Sequence, residues 1–102
     1  MKQITIKNMT SSRGNYVPNQ FIIEEEGHGA NGNFISKKTF QSYGSVIAVK
    51  TEWFNYTEVI LDETYWNYSV TTGKYRNQFL GENKAETQKK INSGVYKLED
   101  LN

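Results

Sequence analysis

Y-W-N-Y-S-V-T-T-G-K-Y-R-N-Q-F-L-G, residues 65–81, is the stretch on which the reading of this chain turns. It carries Trp66, the tyrosines Tyr65, Tyr68 and Tyr75, Phe79, and the basic pair Lys74 and Arg76. Ser69 is a side chain that caps helices, and Gly81 suits the left-handed residue that ends them, so the spacing predicts a helix from Val70 towards Leu80. On that helix Tyr75 and Phe79 lie four apart and share a face with Thr71 or Thr72. Gly73 costs the helix about 1 kcal/mol relative to alanine. Packing, then, has to hold it. Two readings compete for the aromatics: a core helix preceded by an aromatic hinge, or a surface where Tyr68, Lys74 and Arg76 meet a partner.

Before this stretch the hydrophobic period is two. Residues 2–7 alternate around Ile4 and Ile6, and Q-F-I-I-E-E-E (residues 20–26) reads as a second strand with a charged end. Between them, residues 10–19 hold Gly14, Asn15 and Pro18 and read as turn chemistry. Phe40 and Ser42 alternate with Gln41 and Tyr43, Gly44 marks a turn or bulge, and S-V-I-A-V-K (residues 45–50) is a strand. E-V-I-L-D-E (residues 58–63) returns as its hairpin partner, bringing Val46, Ile47 and Val49 to Val59, Ile60 and Leu61. Asp62 or Thr64 then caps a short turn into the aromatic hinge. Beyond Gly81 a second helix is predicted: Asn83 and Glu86 make a capping box, Lys89 and Lys90 suit its C-terminal end, and Gly94 stops it. Its apolar face is only Ala85 and Ile91, which keeps it at the surface. V-Y-K-L (residues 95–98) reads as a last edge strand. The expected architecture is α+β in one domain, residues 1–102: an antiparallel sheet of about five strands, two C-terminal helices on one face, and a short final edge strand.

Composition excludes more than it suggests. With 102 residues, no cysteine and one histidine, the chain forms no disulfide and builds no zinc site of the usual nitrogen and sulfur kind. A net charge of +1 argues against both a strongly basic nucleic-acid clamp and an acidic mimic of DNA. The N-terminus lacks the apolar core of a signal peptide and no run reaches membrane-spanning length, so a soluble, cytoplasmic protein is expected, with no membrane contact. G-H-G-A-N-G (residues 27–32) matches the dinucleotide-binding pattern in letters only. No helical spacing follows it, and Glu24, Glu25 and Glu26 before it would repel a pyrophosphate. His28 in that loop has no evident catalytic partner. P-loop and G-x-S-x-G elbow are both missing, and adjacent Asp62 and Glu63 point to opposite faces of a strand, so neither an enzyme nor a cofactor is expected.

V-P-N-Q-F-I-I (residues 17–23), F-Q-S-Y-G-S-V-I-A (residues 40–48), the residues 61–82 around Y-W-N-Y-S-V-T-T-G-K-Y-R, and the closing E-T-Q-K-K-I-N-S-G-V-Y-K-L-E-D-L-N resemble an uncharacterised family of small proteins. Its members are carried by phages, plasmids and other mobile elements of low-GC Gram-positive bacteria. The resemblance implies setting rather than chemistry: a small binding protein, and most concretely an anti-CRISPR inhibitor of the RNA-guided nuclease of a type II system, with or without its guide RNA. Such a nuclease offers a positively charged channel and a site that reads a short DNA motif. Two patches are the expected contacts, Glu24, Glu25 and Glu26 on one side and Tyr68, Lys74 and Arg76 on the other. The alternative is a nucleic-acid-binding accessory protein, with tyrosines stacking on bases and Lys74, Arg76, Lys84, Lys89 and Lys90 meeting phosphates. As an ordinary solvated helix face, those lysines would bind nothing.

Overall fold

The computed structural model describes residues 4–27 and 35–102. Six strands form one sheet in sequential order: β1 (Ile4–Thr10), β2 (Tyr16–Glu26), β3 (Ser36–Ser42), β4 (Ser45–Glu52), β5 (Thr57–Asp62) and β6 (Lys97–Glu99). Neighbours pair antiparallel up to β5; β6 lies parallel to β5 at the edge. Two helices, α1 (Val70–Leu80) and α2 (Lys84–Asn92), fill the crossover between β5 and β6. A parallel return needs such a connection, because a tight turn can only reverse the chain. This is the expected α+β arrangement, with the edge strand displaced to Lys97–Glu99.

One face of the sheet holds the core. Phe40, Ala48 and Leu61 sit side by side in register there, fully buried, with Ile47 in the bulge beside them. Phe79 of α1 stacks on Phe40 at 5.7 Å between ring centroids, and Tyr75 is buried one turn earlier. Ile91 of α2 packs against the same cluster. Thr72 is the threonine that shares this face: its hydroxyl lies 2.9 Å from that of Ser42 on β3 and also takes a hydrogen bond from Ser69.

The strand ends differ from expectation at two places. β2 begins at Tyr16, so Val17, Pro18 and Asn19 belong to a strand and not to the preceding turn. The register slips there between Asn8 and Thr10 of β1, and Asn19 takes a positive φ of 65°. An irregularity of this kind leaves room for a proline that cannot donate to the ladder. Tyr43 and Gly44 join β3 to β4 with φ of 51° and 84°, the positive pair that a tight two-residue hairpin needs. The G-H-G-A-N-G loop after Gly27, with His28, and the start of the first expected strand at Lys2 lie outside the described residues.

Candidate functional site

β5 ends at Asp62, and the chain must reverse there to lay α1 on the sheet. The Asp62 carboxylate accepts hydrogen bonds from the backbone N–H groups of Thr64 and Tyr65, which closes the turn, and its other oxygen accepts from Leu101 N–H at 2.8 Å. Burial pushes this carboxyl up, but these bonds together with one from the Asn102 side chain outweigh it, and the group is held below its ordinary value of 3.8. Residues 63–69 then form the hinge. Tyr65 and Tyr68 meet edge to face at 5.4 Å, leaving Tyr68 half-exposed. Ser69 caps α1 by accepting from Thr72 N–H at 3.1 Å, and Gly81 closes it in the left-handed conformation.

Between hinge and helix lies an open cleft of about 760 Å³. The hinge lines it with Asn67 and Tyr68, α1 with Val70, Gly73, Lys74, Arg76 and Asn77, and the start of α2 with Lys84. None of these is a carboxylate, and the first turn of α1 carries no acidic residue either. The helix N-terminus therefore adds its partial positive charge to that of three cations.

Arg76 is the unusual member. Only 1% of it is exposed. Its Nη1 donates to the Trp66 carbonyl at 2.7 Å and to Asn67 Oδ1 at 3.3 Å, and its Nη2 donates to Asn77 Oδ1 at 2.8 Å. The guanidinium also lies over the Trp66 ring at 5.2 Å. Every one of these partners is neutral. Its Nε is buried with no partner, and among the described residues no carboxylate comes within ion-pairing distance. Burial lowers its pKa, and the charge of Glu82 opposes that shift from a distance. A cation desolvated without a counter-charge is costly, which makes an anion in this cleft favourable.

Gly73 explains how the cleft stays open. A Cβ at that position would stand 3.8 Å from both terminal nitrogens of Arg76 and 3.9 Å from Asn67 Oδ1. That is ordinary contact, so alanine fits, but it would occupy the floor in front of the guanidinium.

Of the residues the sequence singled out, the structure brings Tyr68, Lys74 and Arg76 together on this cleft. Arg76 differs from the expected exposed contact in being a buried wall. Glu24, Glu25 and Glu26 lie elsewhere, at the end of β2, and do not form one acidic patch. Glu24 pairs with Lys7 at 3.4 Å and Glu25 with Lys37 at 4.0 Å, and alternation sends Glu25 to the opposite face from its two neighbours. Asn67 and Asn77 were missed as site residues. The signal for them was Gly73, a weak helix former held in mid-helix beside a basic residue.

A second polar cluster fastens α2. Glu82, its side chain 5% exposed, accepts from Thr87 Oγ1 at 2.6 Å, Lys90 Nζ at 2.7 Å and Tyr96 Oη at 2.7 Å. Burial pushes Glu82 up, yet these three hydrogen bonds and the Lys90 charge prevail and hold it below its ordinary 4.5. Among the described residues no group of three His, Cys, Asp or Glu side chains is placed to hold a metal ion, and no helix is long and apolar enough to cross a membrane.

Comparison with known protein families gives a match to a family of unknown function, DUF8033, over residues 4–94. No curated protein and no solved structure matches the chain.

Proposed function

The chain belongs to this family of unknown function, DUF8033, and we propose that it is a non-catalytic binding protein whose contact site is the cleft between the hinge and α1. One observation carries the reading: a buried guanidinium without a carboxylate forms the wall of an open cleft whose other charges are Lys74 and Lys84. The ligand this suits is anionic and large enough to use Tyr68 as a platform. Catalysis is disfavoured by the same inventory. Arginine and lysine at neutral pH are poor general bases, and Ser69, which brings the only serine or threonine hydroxyl to the cleft lining, is engaged with Thr72.

The resemblance to mobile-element proteins makes the RNA-guided nuclease of a type II system the proposed target, bound in the cytoplasm of a bacterial host. A guide-loaded nuclease displays RNA phosphates as well as protein, and a basic cleft would favour the loaded form over the empty one. A second reading has its own support: Tyr68 beside Lys74 and Lys84 is the stacking-plus-phosphate pairing that single-stranded nucleic acid uses, without any nuclease.

Size-exclusion co-elution with such a nuclease, with and without guide RNA, followed by a DNA cleavage assay, tests the first reading. Co-elution with loss of cleavage is expected, and charge reversal of Lys74 and Lys84 should remove both. Reversal of Glu24, Glu25 and Glu26 should leave them unchanged. Retention of inhibition by the Lys74→Glu, Lys84→Glu variant would overturn the cleft as the contact site. Binding to bare single-stranded RNA or DNA would favour the second reading, with a slope in log affinity against log salt that flattens by about 1 for each phosphate-contacting lysine removed.

A further inference from the structure

The sheet has a second face, and its composition is not that of a solvated surface. Register places Ile6, Ile23, Thr39, Val49 and Ile60 in one continuous row across β1 to β5, ending on Lys97 of β6. This row faces away from Phe40, the neighbour of Thr39, and therefore away from α1. Ile23, Val49 and Ile60 are half-buried and Thr39 is buried, and among the described residues none of the three aliphatics belongs to the core cluster or packs against it. Ile6 is 66% exposed and Ile4, on the same face, 58%. An antiparallel sheet with one wet side alternates apolar and polar residues, whereas here the side away from the core carries an apolar row bounded by polar and charged residues such as Glu25, Lys37, Thr51 and Glu58.

We infer that this chain forms a homodimer by packing the Ile6–Ile23–Thr39–Val49–Ile60 face of its sheet against the same face of a second copy. Charge permits a copy of itself as the occupant. The fixed charges flanking the row are matched within the chain, Glu25 with Lys37 at 4.0 Å and Glu58 with Lys97 at 3.4 Å. Such a face neither repels its own image nor attracts nucleic acid or another strongly charged partner. Area agrees. Five to six strands about 4.8 Å apart and roughly 20 Å long give on the order of 600 Å² of accessible surface per copy, hence about 1,200 Å² in total, where stable interfaces begin. Rows of β-branched residues suit aligned sheet packing about 10 Å apart. The dimer would be four layers, helices outermost, with one basic cleft on each outer face. It stands whether or not the cleft binds what is proposed above.

Sedimentation equilibrium of the full chain over low to high micromolar concentration tests this. The expected mass is twice 11.8 kDa at the upper end. Ile60→Lys and, separately, Ile6→Glu should each weaken association by at least about 30-fold, the scale of losing one interface hot spot. Far-UV circular dichroism should be unchanged, since neither side chain touches the core. Ile6 is a safe second site, being exposed on an edge strand. A monomer at every concentration would overturn the inference. So would a dimer that both variants leave intact, which would point to pairing along the open β1 edge.

Discussion

Arg76 shows how one residue can be both structural and functional. Its three hydrogen bonds tie the hinge to α1, through Trp66 and Asn67 on one side and Asn77 on the other. Lysine could not replace it, because a single ammonium cannot span acceptors held in a planar fork. Gly73 separates the two roles experimentally. Gly73→Ala should stabilise the fold by up to about 1 kcal/mol through helix propensity, raising the melting temperature by roughly 4–8 °C. The same methyl group, 3.8 Å from the guanidinium, should weaken ligand binding in the cleft. Thermal melts and the co-elution assay on one preparation check both halves. If binding is retained with the higher melting point, the floor of the cleft is not used.

Elements in this protein are held by different means. α1 is fastened by aromatic burial, Phe79 on Phe40 and Tyr75 beneath it, whereas α2 fully buries only Thr87, half-buries Ile91 against the core, and depends chiefly on the Glu82 cluster. The β3–β4 connection is held by its backbone, through the turn conformation and a hydrogen bond from Tyr43 N–H to the Asn19 carbonyl at 2.9 Å. Tyr43 occupies a left-handed position at φ 51° with its side chain half in solvent. Asparagine tolerates that conformation better and is preferred before glycine in such hairpins. Tyr43→Asn should therefore raise stability by about 0.5 kcal/mol, read as a shift of the urea midpoint at constant slope. A lower midpoint would mean that the tyrosine ring contributes packing the geometry does not reveal.

At the scale of the whole molecule, two carboxylates fasten the connecting segments, Asp62 the hinge and the residues after β6, Glu82 the α2 helix and Tyr96, and both respond to acid in the same direction. Asp62 and Glu82 have folded pKa values below their unfolded ones. In the acidic range the unfolded chain therefore binds more protons, so stability rises with pH there. Their contribution is complete above about pH 4.5, the upper unfolded value, and is lost as pH falls through the depressed folded values. Lowering the pH from 7 to 3 should loosen α2 before α1, because α2 has little apolar burial to fall back on. Hydrogen exchange resolved by residue checks the order. Glu82→Gln should flatten the acid limb and lower stability at pH 7; equal loss of protection in both helices would refute the separation.

Much of the fold was legible in the sequence, because the signals concerned are local. Ser69 and Gly81 bounded α1, and Asn83 with Glu86 opened α2, through hydrogen bonds that reach only three or four residues. The β4–β5 hairpin followed from two apolar runs around Asn55, and the register pairs Val49 with Ile60 as that reading requires. Tertiary structure decided what depends on distant partners. The burial of Arg76 needs Trp66 and Asn67 folded back over α1. The dispersal of the three glutamates needs lysines from β1 and β3 opposite them. Which sheet face the helices would cover was also beyond the sequence, since β4 and β5 are apolar on both sides and alternation gives no preference. The physical reason is common to all three: capping and periodicity are written in neighbouring residues, while the environment of a charge is set by whatever the rest of the chain brings to it.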